Sequence, residues 1–391
     1  MKSHLLSLVL ILAGTTSGSA LTIVPTFDAS ITTDPSSAAI QAAINVAIQN
    51  LQSNLTDNLT VNIVFKSDPN IGLGQSSTYI VDCAYADYLT ALRNRSTSAN
   101  DALALSKLPA STTDPLTSNS NIRLKLPLAR LMGLATYAGT DGTDGTISLN
   151  MPLMNLTRPP TNAANYDLIA TVEHEINEVL GSSSNLGPGT GPTGPIAPID
   201  LFRYTTNLVR TWTTSGDDAY FSIDGTNLLA RFNQQSDGDY GDFWSKTGTW
   251  SPPGTTPVAQ VQDAFGGPGV FQDEGPNELA ILDVIGYTLA STRPTLSIAS
   301  SGVNQVTLSW PSNFTGFVLQ ERTLFGGGTW TTAASGGTTP ATAATTGSQK
   351  YFRLVKNPPV VPGLKPAALS SGTATEPSLQ RVIHVTRPRA R

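Results

Sequence analysis

Apolar positions recur along the chain with two different periods, and the change between them divides it. Ile40, Ala43, Ile44, Ala47, Ile48 and Leu51 return at three- and four-residue steps, which predicts a helix with one buried face. Asp34-Pro35 ahead of them reads as an N-cap followed by proline in the first turn. Thr60 to Lys66 (TVNIVFK) is β-branched and bounded by polar turns, a strand pattern. Short helices are expected over 85–93 and 100–107, a Ser/Thr-rich loop from Ser111 to Asn121, and a short strand over Thr146–Asn150. The strongest periodicity runs from Asn165 to Leu180, where Ile169, Val172, Ile176, Val179 and Leu180 fall within an arc of roughly 100°. Gly181 stands where a helix-terminating glycine belongs. A Gly/Pro/Ser-rich loop follows to Pro198, then short strands and Asp/Gly turns over 219–265, and a helical pattern over Glu278–Tyr287. From Thr295 to Leu354 the period drops to two in short runs (TLSIA, QVTLSW, FVLQER, KYFRL), which predicts a small β-sandwich with Trp310, Trp330 and Phe352 in its core. Beyond Val355 the chain is Pro/Ala/Ser-rich and basic, and disorder is expected.

A length of 391 residues exceeds what one simple core organises, so more than one domain is expected. Lys plus Arg number 23 against 28 Asp plus Glu, giving a net charge of −5 with no basic stripe, which argues against nucleic acid as a partner. Cys83 is the one cysteine, so neither an intrachain disulfide nor a thiolate zinc site can form. Lys2, the apolar run Leu5–Ala13 and the small residues Ser17–Ala20 read as a secretory signal peptide, with an uncleaved anchor as the alternative. No later run approaches the ~20 apolar residues of a membrane span. The expected organisation is a signal peptide over 1–20, a main domain over 21–291, a sandwich over 292–355 and a disordered basic tail over 356–391. Export without disulfides points to a bacterial secreted or extracellular protein.

His174-Glu175-Ile176-Asn177-Glu178 carries the candidate chemistry. With Val172 at zero, His174 falls near about 200°, Glu178 near about 240° and Glu175 near about 300°, away from the apolar arc. His174 and Glu178 are one turn apart, the spacing at which two side chains grip one ion, and Glu175 takes the position of a general base. The competing reading is a charged helix face shown to solvent. With His4 in the signal and His384 in the tail, further ligands should be oxygen donors. Asp200, in Pro198-Ile-Asp-Leu-Phe-Arg-Tyr204, is the first choice for the third, an ordinary N-cap being the alternative; Glu278 and Asp283 stand in reserve. One nitrogen with two carboxylates suits zinc, with manganese or calcium as alternatives. Arg203 and Tyr204 are candidate donors to a developing oxyanion, or else packing residues. Asp237-Gly-Asp-Tyr-Gly-Asp242 lacks EF-hand spacing and reads as a polar turn.

His174-Glu-Ile-Asn-Glu-Val-Leu-Gly181 resembles the active helix, HEIxEV(L/M)G, of a family of secreted bacterial zincin-like metalloproteases. Asp200-Leu-Phe-Arg-Tyr204, Tyr220-Phe-Ser-Ile-Asp-Gly225, Gly238-Asp-Tyr-Gly-Asp242 and Leu282-Asp-Val-Ile-Gly-Tyr287 are further blocks similar to that family, over residues 25–290. The resemblance implies an α+β zincin-like domain, a mixed sheet plus an active-site helix, with a cleft whose edge strand aligns a peptide; Thr146–Asn150 is placed to be that strand. It also implies metal binding at His174 and Glu178 and the base role at Glu175. No third histidine follows Gly181, where Ser182-Ser183-Ser184 stands. The final module resembles fibronectin type III or immunoglobulin-like attachments of exported proteins, which implies contact with a cell surface or matrix. The expected function is a secreted metal-dependent endopeptidase acting on protein or peptide; the alternative is an inactive zincin-like binding or adhesion protein.

Overall fold

The computed structural model describes residues 21–356, apart from 137–138, 140, 189–193, 216–218, 237, 245–257, 291–295, 303–304, 311–316, 324–329 and 345–348, together with the strand Ile383–Thr386. The expected signal segment lies outside the described residues. The chain divides into two compact units between Ala290 and Ser291.

The first unit opens with β1 (Thr22–Phe27), α1 (Ala29–Thr32), α2 (Ser37–Ser53), β2 (Thr60–Ser67), β3 (Gly74–Thr78) and β4 (Ile80–Ala84). It continues with α3 (Tyr85–Arg95), α4 (Ala99–Lys107), β5 (Asn121–Lys125), α5 (Leu126–Leu131) and β6 (Gly145–Leu149). Two-residue strands β7 (Met154–Asn155) and β8 (Tyr166–Asp167) lead into α6 (Leu168–Leu180). Short strands β9 (Arg203–Tyr204), β10 (Tyr220–Phe221) and β11 (Ala230–Arg231) precede α7 (Pro276–Ile285).

The main sheet is mixed, in the order β1-β2-β6-β3. β1 pairs in parallel with β2 (Phe27 opposite Phe65) and β2 in parallel with β6 (Ile63 opposite Gly145), while β3 runs antiparallel to β6 (Ser76 opposite Ile147). Val61, Ile63 and Phe65 alternate inward along β2, the two-residue period of a half-buried strand. All six apolar residues of the α2 stripe are buried. That helix starts two residues later than Asp34-Pro35 suggests, because the Asp34 side chain accepts the Ser36 N–H in a turn of its own at 2.7 Å. Leu168, Val172, Ile176, Val179 and Leu180 of α6 are fully buried, and the helix packs against α2, α5, β3 and β6. The strand expected over Thr146–Asn150 forms as β6, but in the interior, with β2 on one side and β3 on the other. It cannot take a further strand; the free edge beside it is β3.

The second unit holds two antiparallel sheets. The first is made of β12 (Ser297–Gly302), β13 (Gln305–Ser309) and, beyond β14 (Phe317–Arg322) and β15 (Thr331–Thr332), β16 (Ala341–Ala344). The second runs in the order β15-β14-β17-β18, with β17 at Gln349–Lys356 and β18 at Ile383–Thr386. Leu308, Trp310, Leu319 and Phe352 form its core. Trp330 departs from the expectation: it is half-buried, with the guanidinium groups of Arg322 and Arg353 each 4.4 Å from its ring centre, because its indole serves as a cation platform rather than core filling. The tail expected to be disordered contributes β18, which pairs with β17 and finishes that sheet. Among the described residues no helix is long and apolar enough to cross a membrane.

Candidate metal centre

Helix α6 is fixed at both ends by its own sequence. The Asp167 carboxylate accepts the N–H groups of Ile169 (3.3 Å) and Ala170 (3.2 Å), and the Arg158 guanidinium holds that carboxylate through Nε at 2.9 Å. At the other end Gly181 takes φ +125°, a conformation open to a residue without Cβ, and its N–H returns to the Asn177 and Glu178 carbonyls. With its apolar stripe in the core, the helix turns His174 and Glu178 toward a cleft of about 770 Å³.

There His174 Nε2 lies 3.9 Å from Glu178 Oε1 and 3.5 Å from Asp242 Oδ1. Among the described residues this is the one group of three or more potential ligands whose ligating atoms all lie within 4.8 Å of one another. Each member is steered by a neighbour. His174 Nδ1 bonds the Val261 carbonyl at 2.9 Å; a carbonyl only accepts, so Nδ1 carries a hydrogen, and in the neutral imidazole, the form that binds a metal, the Nε2 lone pair faces the carboxylates. Ser76 Oγ on β3 donates to Glu178 Oε2 at 2.5 Å, and Gln262 Nε2 donates to Asp242 Oδ1 at 2.9 Å. Asp239 Oδ1 folds the loop before Asp242 by accepting the N–H groups of Gly241 (2.5 Å) and Ser184 (3.2 Å). A Cβ on Gly241 would stand 2.6 Å from Ser184 N, so the chain can approach this closely only at glycine.

Glu175 points to the same cleft. It is 5% exposed, and its Oε2 is buried without a hydrogen-bond partner. A Cβ on Gly74 would stand 2.4 Å from its Oε1, so the missing side chain in β3 makes room for the carboxylate. Burial, then the charge of Glu178, holds the Glu175 carboxyl well above the usual carboxylate range. Burial and the charges of Glu178 and Asp239 do the same to Asp242, and burial followed by Glu178 lifts Asp239 to about 6. At His174 burial acts downward, but the charges of Glu175 and Glu178 outweigh it and the imidazole is raised.

The donor set therefore fits a divalent cation. One oriented imidazole and two carboxylates converge, and the cleft lining contains Glu175, Glu178, Asp239, Asp242 and Asp263 but no lysine or arginine among the described residues. Like charges gathered at low dielectric need a counter-ion or a proton.

No family model, curated protein or solved structure matches the chain. The functional reading rests on this geometry and on the sequence.

Of the residues singled out from sequence, His174, Glu175 and Glu178 come together and Asp200 does not. Asp200 is not an N-cap, a place held by Ala197, but the third residue of the turn Pro198–Phe202: its Oδ1 accepts Ser184 Oγ at 2.6 Å, and its Oδ2 accepts the N–H groups of Ala197 (2.9 Å) and Asn185 (3.2 Å). Its oxygens are spent tying the loop after α6 to the turn Pro198–Phe202, and it does not line the cleft. Tyr204 does not line the cleft either. Its ring is buried against Gly225 and under the Arg210 guanidinium, 5.0 Å from the ring centre. Arg203 donates to the carbonyls of Thr213, Tyr240 and Asn233 and stacks on Phe232, a wholly structural set of contacts. Glu278 accepts the N–H groups of Gln262 and Gly275, and Asp283 accepts from Ser98 and Asn100, so neither reserve ligand reaches the cleft. The third potential ligand, Asp242, sits in the block that reads as a polar turn, of which Asp237 lies outside the described residues. The available signal was its place among the family-like blocks.

Proposed function

We propose that the chain is a metal-dependent endopeptidase of zincin-like construction, with His174, Glu178 and Asp242 as ligands and Glu175 as general base. The observation that carries this reading is the convergence of three ligating atoms with the buried Glu175 carboxylate beside them, its Oε2 without a partner, in a cleft bordered by the edge strand β3. An ion held there, zinc by preference and manganese or calcium as alternatives for so oxygen-rich a set, would acidify water and polarise a carbonyl.

The chain's own residues supply the rest. Gly72 to Ser76, running into β3, line the cleft, so an extended peptide can add to that edge by backbone hydrogen bonds with its scissile bond near Glu175. Glu175, turned into the cleft by Gly74, takes the proton of the attacking water and returns it to the leaving amine. A carboxyl raised by burial suits both halves of that exchange better than a solvated one. Val261 keeps the His174 tautomer, and Ser76 and Gln262 hold the two carboxylates.

The purified protein should cleave casein and lose that activity in chelator. Glu175→Gln should keep its metal and lose about 100- to 10,000-fold in kcat. Undiminished cleavage by that variant, or no bound metal after exhaustive dialysis, removes the proposal and favours a non-catalytic surface-binding protein.

A further inference from the structure

Two acceptors in the cleft take no part in the metal centre. Asp263 is 8% exposed and lines the cleft; its Oδ2 accepts the Gln260 N–H at 2.9 Å, while its Oδ1 is buried without a partner. Gln272 lines the same cleft; its Nε2 donates to the Gln260 carbonyl at 2.9 Å, and its Oε1 is likewise buried without a partner. The orientation of that amide follows from its bond, since a carbonyl cannot accept from Oε1. Both side chains are thus pinned to the backbone N–H and carbonyl of one residue, Gln260, each with an oxygen left over. The rest of the lining supplies no lysine or arginine among its described residues, so a divalent ion at His174, Glu178 and Asp242 would leave Glu175, Asp239 and Asp263 with no basic side chain beside them. A pair of fixed, unsatisfied acceptors in acidic surroundings matches a group that is all donor and positively charged: an ammonium or guanidinium.

Resting on the endopeptidase reading, we propose that the cleft selects peptides carrying a lysine or arginine side chain beside the scissile bond, bound by Asp263 Oδ1 and Gln272 Oε1. The basic side chain satisfies two buried oxygens with charge-assisted hydrogen bonds, an apolar side chain leaves them unpaired, and the neutral ureido group of citrulline offers N–H donors without the charge. Discrimination against citrulline therefore comes from the charge, and against apolar side chains from the empty acceptors as well. Asp263 and Gln272 are specificity residues here, with no part in bond making.

The test uses the full-length, metal-loaded protein and internally quenched peptides of alanine and leucine carrying either one arginine or one citrulline, the neutral isostere. Wild type should cleave the arginine peptides with kcat/KM at least about tenfold higher. Asp263→Asn should bring the ratio near one while the citrulline rate is kept, which shows the cleft intact. Gln272→Met, a second variant should the first fail to fold, should narrow the ratio in the same direction. Equal cleavage of both peptides by wild type overturns the selectivity and leaves the peptidase reading standing. If neither is cleaved, anisotropy of the labelled peptides decides: arginine-selective binding lost in Asp263→Asn keeps the recognition and removes the peptidase reading, and no selective binding removes both.

Discussion

Asp242 accepts Gln262 on one side and faces His174 on the other, held in a repulsive group with Glu178 and Asp239. Without a cation this arrangement is costly, so Asp242→Asn should raise the chemical stability of the metal-free protein by about 1–3 kcal/mol while weakening metal binding. Denaturant titration with and without chelator, paired with metal competition, checks both halves. Asp200→Ala should behave in the opposite way. Removing an acceptor used by Ser184, Asn185 and Ala197 should cost about 2–3 kcal/mol and leave metal affinity unchanged. Gly74 offers a third contrast. A methyl group there collides with Glu175, so Gly74→Ala should lower kcat at least about tenfold with metal content unchanged, readable from turnover and elemental analysis of one preparation.

Among the elements, α6 was the most legible in sequence, because a helix brings its own i and i+4 residues together whatever surrounds it. β3 (GQSST) has no apolar alternation and was not legible; it is a strand because β6 pairs with it and α6 packs on it. The contact of α4 with α7 is also tertiary. Asp283 on α7 accepts from Ser98, the N-cap of α4, and from Asn100, with burial lifting its carboxyl to about 6. A carboxyl raised on folding contributes most below its unfolded value near 4 and loses that contribution as pH climbs through about 6. Between pH 4 and 7.5 the wild type should therefore lose stability through this group, by no more than about 3 kcal/mol. The stability of Asp283→Asn should vary less over that interval, as denaturant unfolding of the two proteins at both pH values will show.

At the scale of the whole molecule, each unit closes a hydrophobic core of its own, the first from residues 21–289 and the second around Leu308, Trp310 and Phe352. Residues 21–290 expressed alone should show a cooperative thermal transition and an ordered near-UV spectrum. The sequence by itself determined the helix that sets His174, Glu175 and Glu178 on one face, the two-period division of the chain, and the alternation that builds β2 and the sandwich, because each depends on near neighbours along the backbone. Only the tertiary structure decided that β6 is interior and β3 the edge, that Asp200 ties a loop to a turn and Asp242 is the third potential ligand, and that Gln260 holds two unsatisfied acceptors in the cleft. Those choices depend on which distant segments pack together, and a carboxylate carries no local sign of the partner that the fold will bring to it.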